Sequence, residues 1–337
     1  MTRTRSAETK LLLCVRHPFS LWNPPPEMPE RIGRRWPEMR VVHLPDYDRL
    51  GGELPDSDIF VGFSLRPEQF SLARKLKWIH STAAAVGQLM YPALRSSGIE
   101  VTNASGVHRI PMAEHILGTL VALARRFPDC VRYQQQARWA QQELWDAGDA
   151  ARPRELRGQV VLFIGFGAIG REVARLALPF GMRLRAITRS GRGDAALAEK
   201  FYSPAQLLDA LSQADFVVLA APETSQTRKM MDARAFARMK PSAYFLNVAR
   251  GALVDEPALI DALARRLIAG AALDVASEEP LPPENPLWKL DNVLLTPHIS
   301  SVSERLWPRQ MDLLMENLER WFDGRDLVNR VDLSRGY

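Results

Sequence analysis

The sequence has few of the features that mark secreted, membrane-spanning or disulfide-stapled proteins. It contains two cysteines, Cys14 and Cys130, which lie far apart and outside any metal-ligand spacing. Reduced thiols in a cytoplasm are therefore expected, rather than a disulfide bridge. The apolar runs, such as residues 11–15 and 216–221, are far shorter than the roughly 20 residues that span a bilayer. No small-residue cleavage site follows the short apolar stretch near the N-terminus, so no secretory signal is expected.

The charged residues are not arranged for nucleic-acid binding. The net charge is +5, but the basic residues are scattered, and clusters such as Arg34–Arg35 and Arg265–Arg266 are only pairs. Nucleic-acid-binding tails carry longer blocks of like charge. With 46% hydrophobic and 25% charged residues, the composition is that of an ordinary globular protein, and 337 residues suffice for two domains.

Two series of short β-rich segments predict an α/β fold with two doubly wound parallel sheets in tandem. The first series comprises residues 11–15, 39–44, 58–63, 76–81 and 99–103. The second comprises residues 159–167, 182–188, 215–222, 242–249 and 269–275. Helical spacing is evident over 111–127, which we expect to form one long helix between the two series, and within 303–322. The segment 23–33, with four prolines, is predicted to be a surface loop.

The motif GFGAIG, Gly165–Gly170, follows a strand-like run and opens a helical segment, which is the context that a dinucleotide-binding turn requires. Gly165 allows the tight turn, Gly167 lets a pyrophosphate approach the backbone, and Gly170 lets the helix pack against the strand. The helix N-terminus offers free N–H groups to phosphate. We therefore expect a nicotinamide cofactor here, with Phe166, Ala168 and Ile169 completing the turn.

The residues after the next strand-like run indicate which cofactor is preferred. An NAD-binding unit usually carries an acidic residue there, which binds the ribose hydroxyls. This sequence instead has Thr188, Arg189, Ser190 and Arg192. Two guanidinium groups and two hydroxyls can bind a 2′-phosphate, which a carboxylate would repel. The sequence therefore predicts a preference for NADP, with NAD still possible; a solvated basic loop is the structural alternative.

Three further motifs follow later strand-like runs: LNVARG around Arg250, LDVASEEPLP around Glu279 and TPHIS around His298. In this order, and behind GFGAIG, they resemble the D-2-hydroxyacid dehydrogenase family, which includes glyoxylate and hydroxypyruvate reductases. The resemblance runs from about residue 76 to residue 298 and implies a catalytic set of Arg250, Glu279 and His298. Taken alone, each residue also has an ordinary explanation as an ion-pair partner, an acidic turn or a loop residue.

The chemistry of these three side chains suits the reduction of a 2-oxo acid. Arg250 can hold the substrate carboxylate through its rigid fork of N–H donors. His298 can deliver the proton to the ketone oxygen, because an imidazole exchanges protons near neutral pH. Glu279, hydrogen-bonded to that imidazole, would orient it and favour its protonated form. No His/Cys/Asp cluster has metal-site spacing, so no metal is expected.

The resemblance also implies domain bounds and further contacts. It implies a Rossmann dinucleotide-binding domain over 105–295 and a smaller, flavodoxin-like substrate-binding domain formed by 1–104 with 296–337. Residues at family positions that line the cofactor are Pro222, Thr227, Val248 and Asp274. Ser300 replaces a residue that is often glycine and leaves open an additional hydroxyl near the nicotinamide.

A loop with the sequence TAAAVG, Thr82–Gly87 (the TAAAVG loop), matches the segment whose backbone N–H groups hold the substrate carboxylate in the family. Ala85 and Val86 are the implied substrate contacts. Ala85 stands where the family usually has glycine, and alanine reaches positive φ less readily. The sequence therefore leaves open a different shape for this loop.

The activity that the resemblance implies is NADP-preferring reduction of a small 2-oxo acid, of the glyoxylate or hydroxypyruvate type, to the D-2-hydroxy acid. A homodimer is implied as well, with the segment 132–145, which includes Trp139 and Trp145, as part of the interface. Two alternatives remain at this point. A formate dehydrogenase on the same scaffold would usually carry glutamine at position 279, and a cofactor-sensing protein like the C-terminal-binding co-repressors could keep the same residues.

Overall fold

The computed structural model describes residues 9–148 and 152–335, and the chain divides into two compact units. The first unit runs up to Val107 and resumes at Ser303, whereas the second spans His108–Val302. The later boundary therefore lies at 302/303 rather than at the 295/296 expected from the sequence. The reason is that Thr296, Ile299 and Ser300 are hydrogen-bonded to Asp274 of the second unit.

The first unit is built on a five-stranded parallel sheet with the strand order β2-β1-β3-β4-β5. This is the order of flavodoxin-like doubly wound folds. All five predicted strands are present: β1 (Lys10–Cys14), β2 (Arg40–Leu44), β3 (Ile59–Gly62), β4 (Trp78–Ser81) and β5 (Glu100–Thr102).

Four helices accompany these strands: α1 (Met28–Arg35), α2 (Leu50–Glu53), α3 (Pro67–Phe70) and α4 (Pro92–Arg95). Helix α1 corrects the prediction of a surface loop over 23–33. Pro29 lies in the first turn of α1, where its missing N–H would have had no helical partner and its fixed φ suits the helix. The prolines before it remain outside the helix.

The second unit contains a seven-stranded parallel sheet with the order β12-β11-β10-β9-β6-β7-β8. Counted within the unit, this is the doubly wound order 3-2-1-4-5-6 with a seventh strand added at one edge. The strands are β6 (Val160–Ile164), β7 (Arg183–Ile187), β8 (Lys200–Tyr202), β9 (Phe216–Leu219), β10 (Tyr244–Asn247), β11 (Gly270–Leu273) and β12 (Val293–Leu295). The short edge strands β8 and β12 were not predicted.

The helices of this unit are α5 (Arg109–Ala124), α6 (Phe127–Gln135), α7 (Gln141–Trp145), α8 (Ala168–Ala177), α9 (Leu207–Leu211), α10 (Ala233–Arg238) and α11 (Glu256–Ala264). Buried residues of α5 and α8 pack on one face of the sheet, and those of α9, α10 and α11 pack on the other. The prediction of one helix over 111–127 is wrong at its end. Arg126 adopts a left-handed conformation with φ 60°, which stops α5 and starts α6 in a new direction. Side chains alternate between two apolar clusters along β6, so the sheet is buried on both faces.

The final helix, α12 (Leu306–Asp323), belongs to the first unit. Met311, Leu314 and Leu318 join the apolar cluster beneath β1. Trp321 stacks on Trp78 of β4 with ring centroids 5.4 Å apart. The predicted helix within 303–322 is therefore present and is anchored to the sheet by an apolar stripe.

Across the described ranges 9–148 and 152–335, no helix is long and apolar enough to cross a bilayer. The same residues contain no group of three or more His, Cys, Asp or Glu side chains that could hold a metal ion. Cys14 and Cys130 are both free thiols.

Candidate active site

Three neighbouring strands of the second unit place the motif residues at one edge of its sheet. Strands β10, β11 and β12 are parallel and in register, with Asn247 opposite Leu273 and Leu273 opposite Leu295. Arg250 follows the end of β10, Glu279 lies in the loop after β11, and His298 follows β12. Because the carboxyl ends of parallel strands meet at the same edge, the three loops are neighbours.

His298 and Glu279 form a direct hydrogen-bonded pair. The distance between His298 Nδ1 and Glu279 Oε2 is 2.6 Å, and the two side chains are 46% and 38% exposed. The second carboxylate oxygen of Glu279 accepts from the backbone N–H of Ala276 at 3.1 Å. An N–H at Nδ1 that donates to the carboxylate fixes the plane of the ring. Nε2 then remains as the ring atom that can exchange a proton.

A buried carboxylate, Asp274, shapes the turn that carries His298. Its two oxygens accept hydrogen bonds from Thr296 Oγ1 at 2.6 Å, Ile299 N at 2.9 Å and Ser300 N at 3.0 Å. Burial alone would raise the pKa of Asp274, but the hydrogen bonds, first those of Ser300 and Thr296, outweigh burial and hold that pKa below its usual value. His298 has φ 53°, a conformation this ring of hydrogen bonds maintains.

The same contacts revise the expectation for Ser300. The residue is 3% exposed, and its backbone N–H donates to Asp274 Oδ2 at 3.0 Å. Ser300 therefore helps to hold the turn, and its side chain is buried within the unit.

Arg250 lies on an exposed turn that a buried asparagine closes. Asn247 Nδ2 donates to the carbonyl of Arg250 at 3.1 Å, and Asn247 Oδ1 accepts from Ala249 N at 3.0 Å. Gly251 brings this turn against the loop after β11, since a Cβ at Gly251 would lie only 1.9 Å from the carbonyl oxygen of Ala276. Gly251 therefore permits the turn of Arg250 to touch the loop of Glu279.

A third anchor, Glu256, fixes the loop after β11 from the start of α11. Its carboxylate accepts from Ser277 N at 3.0 Å, Ser277 Oγ at 2.6 Å and Asn285 Nδ2 at 2.9 Å. Burial raises the pKa of Glu256, but these hydrogen bonds lower it further than burial raises it. Sequence reasoning missed Asn247 and Glu256, because their bonding partners lie outside any local pattern.

The glycine turn Gly165–Gly170 connects β6 to α8 as the motif predicts. Gly165 has φ +91°, and a Cβ there would lie 2.8 Å from the carbonyl oxygen of Ala220, so no other residue fits without a shift. Gly167 is the residue before α8. A Cβ at Gly170 would meet the ring of Phe166 at 2.9 Å, so Gly170 makes room within the turn rather than against the strand.

The basic loop, residues 188–192, follows β7. Thr188 Oγ1 donates to Arg192 O at 2.9 Å and accepts from Arg192 N at 3.0 Å, which closes the loop on itself. Ser190 Oγ lies 3.5 Å from the same carbonyl. Arg189, Ser190 and Arg192 are exposed. Thr188 thus serves the loop's shape, while the guanidinium groups lie at its surface.

The remaining predicted cofactor contacts have structural roles in the described residues. Thr227 Oγ1 donates to Pro222 O at 2.8 Å and accepts from Thr224 N at 2.8 Å, so its hydroxyl closes a turn after β9. Val248 is buried in the apolar cluster on one face of the sheet. The Thr227 hydroxyl is therefore already hydrogen-bonded within the turn, and the Val248 side chain is part of the core.

In the first unit, the TAAAVG loop turns its carbonyl groups inward. Successive carbonyl oxygens accept hydrogen bonds from the following donors: Thr82 O from Gln310 Nε2, Ala83 O from Ala104 N, Ala84 O from Asn103 Nδ2, Ala85 O from Gln88 Nε2 and Val86 O from Leu89 N. By contrast, the N–H groups of residues 84–87 donate to no acceptor within 9–148 and 152–335. Ala85 is not among the residues with positive φ, so alanine fits this backbone without strain.

A separate cavity of about 390 Å³ in the second unit is lined by Leu123, Arg126, Tyr244, Asn292 and Val293, among others. Tyr244 and Val293 begin β10 and β12, so this cavity opens at the amino ends of the strands. It is remote from the edge that carries the motif residues.

Comparison with known proteins identifies relatives of the whole chain. Residues 117–300 match the family described as "D-isomer specific 2-hydroxyacid dehydrogenase, NAD binding domain". A glyoxylate reductase of Pyrococcus furiosus is 35% identical over 293 residues, covering 84% of this chain and 84% of its own. A glyoxylate/hydroxypyruvate reductase of Arabidopsis thaliana is 32% identical over 283 residues, covering 84% and 81%.

A solved structure shares the architecture. The D-isomer specific 2-hydroxyacid dehydrogenase from Xanthobacter autotrophicus, in complex with NADPH and MES, aligns with a TM-score of 0.82 and 28% identity. The alignment covers 98% of this chain and 100% of that one. The predicted fold class, two parallel α/β domains, is confirmed by this match and by the two sheets.

Proposed function

This chain belongs to the D-isomer specific 2-hydroxyacid dehydrogenase family and is a 2-oxo acid reductase, and we propose that it reduces glyoxylate to glycolate, or hydroxypyruvate to the D-2-hydroxy acid, with NADPH as preferred reductant. The observation that carries the proposal is the His298–Glu279 pair at 2.6 Å, set beside the turn of Arg250. Both named relatives are called glyoxylate reductases, and the name of the Arabidopsis thaliana protein adds hydroxypyruvate.

His298 is the acid in the direction of reduction. With Glu279 occupying Nδ1, Nε2 delivers a proton to the oxygen of the 2-oxo group, and in the oxidation direction it takes the hydroxyl proton. Glu279 holds the ring in one orientation, so the proton moves at one defined atom. Asp274 stabilises the turn that carries His298 by accepting a hydrogen bond from Thr296 Oγ1.

Arg250 holds the substrate carboxylate. Its exposed guanidinium offers a planar pair of N–H donors that matches a carboxylate. The N–H groups of Ala85 and Val86 in the TAAAVG loop, which donate to no acceptor in the described residues, are assigned to the substrate as well, because free backbone N–H groups attract an anion.

The glycine turn fits a dinucleotide. A Cβ at Gly167 would meet nothing within 4 Å, so the backbone there is open to a phosphate, and the first N–H groups of α8 lack helical partners. Residues 165–170 would hold the pyrophosphate, and Pro222, Thr227, Val248 and Asp274 would lie along the rest of the cofactor. When bound, reduced nicotinamide supplies the hydride that the ketone carbon accepts.

The preference for NADPH rests on the basic loop. No acidic residue occurs at positions 188–193 directly after β7, and Arg189 and Arg192 are exposed beside the hydroxyls of Thr188 and Ser190. These groups can neutralise a 2′-phosphate, and charge-assisted hydrogen bonds to a phosphate are stronger than hydrogen bonds to a neutral ribose hydroxyl. The Xanthobacter autotrophicus relative was solved with NADPH, which agrees with this assignment.

We further propose a homodimer that uses the surface of α6 and α7. Trp139 is 89% exposed and Trp145 is 73% exposed, and Phe127 and Val131 on α6 are also more than half exposed. Large apolar side chains grouped on one segment mark an interaction surface. Replacing Trp139 by Ser should shift the mass measured by light scattering toward the monomer.

The direct test is NADPH oxidation with glyoxylate, hydroxypyruvate, pyruvate and phenylpyruvate, repeated with NADH. We expect glyoxylate or hydroxypyruvate to give the highest kcat/KM. An NADH rate at least about tenfold above the NADPH rate would refute the cofactor assignment, since a tenfold ratio corresponds to roughly 1.4 kcal/mol. Absence of turnover with all four acids would refute the substrate assignment.

A further inference from the structure

The carboxyl-terminal helix α12 contacts the TAAAVG loop through a buried amide. Gln310 Nε2 donates to the carbonyl oxygen of Thr82 at 2.7 Å, across a sequence separation of 228 residues. Gln310 is 3% exposed. The loop therefore takes part of its shape from a helix more than two hundred residues away in the chain.

The other end of the C-terminal segment supports the same loop. Asn103 Nδ2 donates to Ala84 O at 2.8 Å. The backbone of Asn103 is in turn held by Asn329, with Asn103 N donating to Asn329 O at 3.1 Å and Asn329 Nδ2 donating to Asn103 O at 3.3 Å. Both hydrogen bonds, from Gln310 and from Asn103, are made to carbonyl oxygens of the loop and not to its N–H groups.

A hydrogen bond to the carbonyl of one residue also fixes the direction of the N–H of the residue that follows. The peptide group is planar and trans, so its C=O and its N–H point in opposite directions. The N–H opposite Ala84 O is that of Ala85, which donates to no acceptor in the described residues, so the bond from Asn103 fixes the direction of this N–H. The N–H opposite Thr82 O is that of Ala83, which donates to Ser81 Oγ at 3.2 Å, so the bond from Gln310 fixes the peptide plane at the start of the loop. Both planes are therefore held from outside the loop.

Glutamine at position 310 is not explained by the stability of the fold alone. Gln310 Oε1 is buried and has no hydrogen-bond partner in the described part of the chain, and the same is true of His80 Nε2 on the adjacent strand β4. A buried polar atom without a partner destabilises the folded state. Methionine has a similar volume and would remove this unpaired oxygen, but it would also leave Thr82 O without its donor, so the two effects on stability oppose each other.

We propose that Gln310 is a positioning residue that orders the TAAAVG loop for binding the substrate carboxylate. The inference rests on the proposed function, because it takes this loop to be a substrate contact. It goes beyond that function by placing a determinant of substrate affinity on α12.

The test is Gln310→Met, examined by steady-state kinetics and by amide hydrogen exchange. We expect KM for glyoxylate and the inhibition constant of oxalate to rise about tenfold, because the loop must then be ordered on binding. The kcat and the Kd for NADPH should stay within about twofold of the wild type. Exchange should accelerate in the peptide that covers residues 82–88, while Tm changes little.

The matched control is Met311→Ala on the same helix. Met311 is buried in the apolar cluster and has no bond to the loop, so this variant should lower Tm without changing KM or the exchange of 82–88. An unchanged KM and unchanged exchange in Gln310→Met would overturn the inference, as would equal effects in the control. If the wild type reduces no 2-oxo acid, the proposed function fails, and exchange alone then decides whether Gln310 orders the loop.

Discussion

The two units present chemistry at their sheet edges in different ways. At the ends of β10, β11 and β12 in the second unit, the candidate groups are the side chains of Arg250, Glu279 and His298. After β4 in the first unit, they are backbone N–H groups of an alanine-rich loop. The chemistry at the second unit's edge depends on which side chains are present. The chemistry at the first unit's edge depends on how the backbone is oriented. Substitutions should therefore affect the two edges by different rules.

The largest effect is expected at the second unit's edge. His298→Ala removes the proton donor, so kcat for reduction should fall by about 10²–10⁴-fold, while NADPH binding, followed by its fluorescence, stays near normal. Glu279→Gln keeps the His298 imidazole but replaces its charged partner by a neutral amide. Its kcat should therefore lie between those of His298→Ala and the wild type. A His298→Ala enzyme with near-normal kcat would contradict the assigned role.

The contrast between side chain and backbone is tested by pairing Arg250→Ala with Ala85→Ser. Arg250→Ala should lower kcat/KM by about 10²–10³-fold, because a charged donor to the substrate is lost. Ala85→Ser keeps the N–H and the backbone conformation, so kcat/KM should change less than about twofold. A silent Arg250→Ala, or a severe loss in Ala85→Ser, would reverse the distinction between the two edges.

Much of the fold and most of the second unit's edge were predictable, and the reason is physical. Buried parallel strands leave apolar runs, and a reaction that needs a guanidinium, a carboxylate and an imidazole leaves those residues in short motifs. Three short elements were not predicted from the sequence. Strands β8 and β12 are three residues each, and α1 begins at a proline-rich segment whose Pro29 lies in the first turn.

The first unit's edge was less predictable, since its information lies in distant contacts. Nothing in TAAAVG shows that Thr82 O is bonded to Gln310 or that Ala84 O is bonded to Asn103. The same limit explains Ser300, whose backbone N–H donates to Asp274, a partner that no local pattern reveals. Side-chain chemistry can be predicted from a sequence more readily than backbone orientation.

A buried histidine makes the first unit sensitive to acid. His80, in the core of the first unit, is fully buried, and burial lowers its pKa from 6.5 to about 4. The unfolded chain binds a proton there below pH 6.5 while the folded chain does not. Stability is therefore lost as pH falls from 6.5 to 4, by roughly 3 kcal/mol at about 1.4 kcal/mol per pH unit.

Urea unfolding at about pH 7 and about pH 5, compared between wild type and His80→Gln, measures this contribution. The wild type should lose more of its free energy of unfolding than the variant, because other acid-sensitive groups are common to both. Identical losses would show that His80 takes up its proton equally well in the folded state.

The smallest effect is expected at the basic loop. Arg192→Ser should raise KM for NADPH about tenfold and leave KM for NADH unchanged, because one exposed charge-assisted contact to the 2′-phosphate is lost. Arg265→Ser, an exposed arginine paired with Asp261 at the end of α11, is the matched control and should change neither constant. Equal losses with both cofactors would remove the basic loop from cofactor selection.

The most direct test of the account is the pH dependence of the reaction in both directions, measured for the wild type and for His298→Gln. A single imidazole that gives the proton in reduction and takes it in oxidation requires opposite slopes. Reduction of glyoxylate should slow as pH rises, oxidation of glycolate should accelerate, and both slopes should vanish in His298→Gln. Slopes of the same sign, or slopes that persist in the variant, would contradict it.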